Sequence, residues 1–94
     1  MRRLILTPKF NRAFRKFAKH NTGLQQRIET TLLQMEPDIF SPSLGTHKLG
    51  GKLEGIQSCS FGYDCRVIFS IEPDTATNSE VIVLIDIGTH DEVY

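Results

Sequence analysis

The 94-residue chain reads as an α+β protein: a small antiparallel sheet with an N-terminal helical hairpin packed on one face. Three observations lead there. Apolar residues recur at helical spacing between Pro8 and Pro37, and from residue 53 onward the period changes to alternation and β-branched runs. Turn-forming residues (Thr7-Pro8, Asn21-Thr22-Gly23, Pro37, Gly62, Pro73) divide the chain into six elements in the order β-α-α-β-β-β.

Each element has its own justification. Residues 2–6 read as a short strand. Thr7 then supplies a hydroxyl N-cap, and Pro8 takes the first helical position, where its missing N–H is harmless. Phe10, Ala13, Phe14 and Phe17 form the apolar stripe of this helix, opposite its basic residues, and are expected in the core. Asn21-Thr22-Gly23 interrupts it. A second helix follows with Leu24, Ile28, Thr31, Leu32 and Met35 on one face, and Pro37 ends it. Residues 38–45 read as a loop rich in Pro, Ser and Gly. Residues 53–60 and 64–71 form a hairpin around Gly62, which can take positive φ, and residues 73–79 make a longer turn. Residues 80–87 are nearly all β-branched or leucine, as in a central strand covered on both faces.

The length suits a single domain spanning residues 1–94. No apolar run approaches the roughly 20 residues of a membrane-spanning helix, and the apolar stretch after Arg2-Arg3 is too short for a signal peptide. A cytoplasmic protein with no membrane partner is therefore expected. Cys59 and Cys65 do not have a common zinc spacing, so they are expected to be inert buried thiols. Nothing in the pattern asks for a metal or a small-molecule cofactor.

The net charge of zero conceals two poles. Residues 1–28 hold eight basic residues and no acidic one, whereas residues 53–94 hold eight acidic residues and only Arg66 as a cation. The basic pole suits phosphates or an acidic protein segment; a merely solvated helix has the same composition.

Parity along residues 64–71 separates two faces. Cys65, Val67, Phe69 and Ile71 fall on the apolar side that meets the helices, leaving Asp64 and Arg66 on the side the helices do not cover. With the hairpin turning at Gly62, Ser60 faces Asp64, Ser58 faces Arg66, and the two cysteines are neighbours in the core. An Asp–Arg pair on an open face is by itself a weak surface salt bridge. The chain's end adds to it: Gly88 permits a sharp turn, His90 follows a central strand, and Tyr94 carries an aromatic hydroxyl. Together with His47, these residues make a candidate site.

The segments THKLGGKLEG (46–55), YDCRVIF (63–69) and IGTHDEVY (87–94) together resemble the RelE superfamily of toxin–antitoxin toxins, and within it the YafQ-like branch. The resemblance spans essentially the whole chain, because the two leading helices also fit. It implies the RelE/ParE-like fold and ribosome-dependent cleavage of mRNA in the A site, neutralised by a cognate antitoxin. In the chemistry it implies, which uses no metal, the ribose 2′-OH attacks the adjacent phosphate. That reaction needs a base, a cation on the phosphate and an acid for the departing oxygen.

Carried onto this chain, the resemblance makes His90 the general acid and Arg66 the phosphate contact. Asp64 is then base or orienter, His47 the other candidate base, and Tyr94 a stacking or positioning aromatic. It also implies that Lys9, Arg12, Arg15, Lys16 and Lys19, with Lys48 and Lys52, hold ribosomal RNA. The chain departs from the YafQ-like branch by Ser60 in place of a histidine, by Cys65 in place of a tryptophan, and by having Arg66 at all. Two other functions are compatible with the fold. One is a ParE-like gyrase poison, which lacks this acid–base set; the other is an inactive homologue that only binds an antitoxin.

Overall fold

The structure, a computed structural model, describes residues 2–49, 55–62 and 64–93. The elements run β1 (Arg3–Leu6), α1 (Pro8–Phe17), α2 (Thr22–Met35), β2 (His47–Lys48), β3 (Gln57–Phe61), β4 (Cys65–Asp74), β5 (Ser79–Gly88) and α3 (His90–Val93). The expected β-α-α-β-β-β order is present, with a two-residue strand and a terminal helical turn added to it. No helix among the described residues is long and apolar enough to cross a membrane.

The two leading helices start as their caps dictate. Thr7 Oγ1 accepts the Phe10 N–H at 3.1 Å with Pro8 at the first position, and Asn21 Oδ1 accepts the Leu24 N–H at 3.0 Å. The break between them lies one step earlier than the sequence suggested. His20 takes the positive φ of 61° and Asn21 is the cap, so Thr22 and Gly23 already belong to α2. The stripe of α1 packs as expected. Phe10 is fully buried, Ala13, Phe14 and Phe17 pack against the core, and Ile28 and Met35 of α2 join the same cluster. The loop after α2 is less passive than its composition implied. It contains a 3₁₀ turn at Pro42–Leu44 and buries Ile39 and Leu44 completely or nearly so.

The sheet order is β1-β5-β4-β3-β2. Strands β2 to β5 are antiparallel throughout, but β1 lies parallel to β5, with Arg3 opposite Val81 and Leu6 opposite Leu84. The expectation of a wholly antiparallel sheet is corrected by counting reversals. The helical pair returns the chain to the end of the sheet where β1 stops, so β2 runs against β1. Three further reversals then bring β5 back into the direction of β1.

The β3–β4 hairpin also differs in register. Phe61 pairs with Cys65, Ser60 with Arg66, Cys59 with Val67 and Ser58 with Ile68. This is a shift of two residues from a turn centred on Gly62; the turn takes in Asp64 as well, and Gly62 has φ 61°. Because the shift is even, every side chain keeps its face. Cys59 is thus opposite Val67 rather than beside Cys65. Strand β4 continues past the expected turn, through Pro73 to Asp74, where Asp74 Oδ1 and Oδ2 accept from the Ala76 N–H (3.2 Å) and the Thr77 hydroxyl (2.9 Å). An irregularity in the β4–β5 ladder allows Leu84 and Ile87, three residues apart, both to be buried.

Candidate active site

Ladder pairing assigns the faces. Val67 lies between Cys59 and Ile87, and all three are buried among the core residues that include the helices. Arg66 lies between Ser60 and Gly88 on the other face, and His47 stands opposite Ser58 on that same face. The face is not bare: Ser58 is fully buried and Ile68 is 6% exposed. Part of its cover is the loop before β2. Gly45 has φ 56°, and a Cβ there would lie 3.0 Å from Ser60 Oγ. A small residue at position 60 suits this close passage.

The chain's end folds back to the same place. Thr89 precedes the single turn α3, whose first N–H, that of His90, donates to Asp64 Oδ1 at 3.3 Å. Asp64, in the β3–β4 turn, is therefore a tether for the backbone of the C-terminal turn. Gly88 does not have positive φ; its absence of a side chain matters through space instead. A Cβ there would lie 3.2 Å from Glu92 Cβ and 3.3 Å from both Glu92 Oε1 and Val93 Cγ1. The His90 ring lies with Nδ1 3.6 Å from Asp91 Oδ1.

Asp64, Arg66 and His90 thus lie at one end of the β4–β5 pair, whereas His47 stands further off. Two strand spacings sideways and two residues along put His47 and Arg66 Cα atoms roughly 12 Å apart. The partner of His47 is local and is not Asp64: its Nδ1 is 3.2 Å from the Gly45 carbonyl oxygen. A carbonyl only accepts, so Nδ1 carries the proton and Nε2 of the neutral ring presents the lone pair. Arg66 Nη1 donates to the Cys65 carbonyl at 3.1 Å, which steadies the guanidinium and leaves it further N–H donors. Tyr94 and Lys52 lie outside the described residues.

Of the basic residues, Lys9, Arg12, Arg15, Lys16, Lys19 and Lys48 are all exposed. Lys9 Nζ is 3.7 Å from Asp86 Oδ2, which ties α1 to β5. Lys16 faces the C-terminal turn. A cleft of about 160 Å³ between α1, β5 and α3 is lined by Ala13, Lys16, Phe17, Asp86, Ile87 and Glu92. Arg2 and Arg3 belong elsewhere. They pair with Glu80 (3.1 Å) and Asp74 (3.5 Å) at the opposite end of the sheet. Both cysteines are free, and burial pushes the Cys59 thiol up to about 12. Burial also raises Cys65, against the pull of Arg27 and Arg66.

The features that sequence reasoning missed are β2 and the Glu92 contact. A two-residue strand has no periodicity to detect. The spacing Thr89-x-x-Glu92, however, is a helix-start signature that was legible.

A helical pair on a five-stranded sheet, with Asp64, Arg66 and the terminal turn at one end of it, defines a small α+β class. Comparison with known proteins narrows the class. Residues 2–94 match the family described as bacterial toxin of type II toxin–antitoxin system, YafQ, and the chain belongs to that family. No curated protein sequence matches it.

Among solved structures, a YoeB/ParE toxin from Agrobacterium tumefaciens superposes with a TM-score of 0.75 at 12% identity, over 94% of this chain and 98% of that one. The E. coli DinJ–YafQ complex gives 0.68 at 16%, over 100% and 99%. A copper-bound mutant toxin from Helicobacter pylori gives 0.68 at 23%, over the whole of both chains. These likenesses establish the shared fold. Among the described residues of this chain, no group of three or more His, Cys, Asp or Glu is placed to hold a metal.

Proposed function

We propose that this toxin is a ribosome-dependent endoribonuclease that cleaves mRNA in the A site. The reading rests on one observation above all: the chain's last helical turn is tethered beside Arg66, with the His90 N–H on Asp64 Oδ1 at 3.3 Å. In this proposal three residues have a role. His47, with its proton held on Nδ1, takes the 2′-OH proton at Nε2. The Arg66 guanidinium holds the phosphate oxygens as negative charge builds on them. As the O2′–P bond forms and the P–O5′ bond breaks, His90 donates a proton to the departing 5′ oxygen. The products are a 2′,3′-cyclic phosphate and a 5′-OH. Asp64 serves to place His90 through the bond its Oδ1 accepts from the His90 N–H. Tyr94 is assigned a stacking role against a base.

The exposed cations of α1, with Lys48 and Lys52, hold ribosomal RNA, and α1 adjoins the site through Lys16. Membership of the family, and the DinJ-bound YafQ relative, support neutralisation by a cognate antitoxin, for which the same basic helix offers an acidic segment a seat. The gyrase-poison alternative leaves His47, Asp64 and His90 without a task.

Primer extension on a reporter mRNA, translated with and without the protein, tests the proposal. Discrete cuts should appear only when ribosomes are present, and His90→Ala should abolish them while the far-ultraviolet spectrum stays unchanged. Cuts that persist in His90→Ala, or that appear on naked RNA, would refute it.

A further inference from the structure

We propose that Glu92 is a positioning residue for His90, acting by capping the terminal helical turn from within. This deepens the reading just given and rests on His90 being the general acid.

The argument begins with how a one-turn helix is held. An isolated turn of four residues is far below the length at which helices persist alone, so α3 exists only through its anchors. Two of the backbone donors at its start are satisfied by carboxylates. Glu92 Oε1 accepts the Thr89 N–H at 2.9 Å, and Asp64 Oδ1 accepts the His90 N–H at 3.3 Å. The first contact is the reach-back half of a capping box, in which the third helical residue returns to the N-cap. The Thr89 carbonyl in turn accepts from the Glu92 and Val93 N–H groups at 3.1 and 3.2 Å. Thr89 and Glu92 therefore close a ring around the two residues between them, of which His90 is the one the chemistry depends on.

The strand end is shaped to admit this ring. A side chain at Gly88 would press on Glu92 at 3.2 Å and on Val93 at 3.3 Å. On its outer side Glu92 lines the cleft shared with Lys16 and Asp86. The charged groups that act on it are Lys16 from α1 and Asp64 from the β3–β4 turn. The backbone and hydroxyl of Thr89 hold its carboxyl below the ordinary carboxylate range, and Lys16 adds to that pull. The cap is thus ionised and engaged throughout neutral pH. Its loss is expected only as pH falls through the lowered value.

The test compares Glu92→Ala and Glu92→Gln with the wild-type chain in ribosome-dependent cleavage, with His90→Ala as the reference. Glutamine preserves the acceptor and the capping geometry while removing the charge. Glu92→Ala should lower kcat about 10- to 100-fold, the range for a reacting group displaced by an ångström or so, with KM within about twofold. Glu92→Gln should recover most of that loss. The Thr89 amide resonance should titrate with a midpoint below that of an ordinary glutamate in the wild type and should not titrate there in Glu92→Gln. Wild-type kcat in Glu92→Ala, an equal loss in Ala and Gln, a rise in KM at constant kcat, or a Thr89 amide indifferent to pH would each overturn the inference. Should His90→Ala itself cleave normally, the nuclease reading fails instead, and the Thr89 titration still reports whether the cap exists.

Discussion

Thr7 is the joint at which β1, α1 and β5 meet, and its replacement gives a test whose size can be worked out beforehand. Its hydroxyl makes two hydrogen bonds at once, donating to the Leu84 carbonyl at 2.7 Å and accepting the Phe10 N–H at 3.1 Å. Thr7→Ala removes an N-cap worth about 1 kcal/mol, and a side-chain hydrogen bond worth about 1 kcal/mol more. The Leu84 carbonyl keeps the Thr7 N–H at 3.3 Å and is not orphaned. The Phe10 N–H is the group left behind, on a residue with no exposed surface. A loss of about 2 kcal/mol follows, which for a chain of this size lowers Tm by roughly 8–16 °C. Thermal and urea unfolding followed by circular dichroism measure it. Thr7→Ser, which keeps both bonds, should lose much less. A fall in Tm of under about 2 °C in Thr7→Ala, or serine no better than alanine, would show that the joint is held by packing and not by the hydroxyl.

Two further outcomes are expected. Replacing Arg12, Arg15 and Lys19 by glutamine, while leaving Lys16 beside Glu92, should weaken ribosome association and flatten its dependence on salt. Every phosphate that goes unneutralised in the variant should reduce the log–log slope by roughly 0.7–0.9; an unchanged slope would remove α1 from the ribosome interface. Cys59, buried with its thiol pushed up to about 12, holds almost no thiolate at mildly alkaline pH. An alkylating reagent should therefore modify it only at the rate of unfolding, read by mass spectrometry; rapid labelling of the folded protein would contradict its placement.

What the sequence revealed and what it concealed divide along a physical line. Features governed by neighbours in the chain were legible: the Thr7-Pro8 start of α1, the Phe10–Phe17 stripe, the alternation that put Cys65 and Arg66 on opposite faces. Features governed by the path of the chain were not. The parallel pairing of β1 with β5 depends on a count of reversals across the whole topology, and no local pattern encodes it. The hairpin register slipped because Gly62 alone suggests the turn's centre, whereas Asp64 also lies in the turn. The slip was even, so the faces survived. For Asp64 the resemblance implied a base or an orienter of His47; the fold adds a contact no local pattern showed, its Oδ1 accepting the His90 N–H.

The charge asymmetry gains its meaning from the same topology. Arg2 and Arg3, the first cations of the basic pole, are met at the far end of the sheet by Glu80 and Asp74. Strand β4 runs from Arg66 at one end to Asp74 at the other, a span of roughly 26 Å at the rise of an extended strand. Lys16 places α1 beside the C-terminal turn, at the Arg66 end of the sheet. Attraction of a polyanion to α1 would bring its backbone to the end of the sheet that carries Arg66 and His90. It would also favour one approach over its reverse, since the two arginines at the opposite end are already paired with carboxylates. Reversing Glu80 and Asp74 to lysine should therefore leave cleavage chemistry intact but slow productive association with ribosomes by creating a second, empty landing site. The measurement is the rate of cleavage against toxin concentration at low salt. An unchanged dependence would mean that the acidic end plays no part in orienting the encounter.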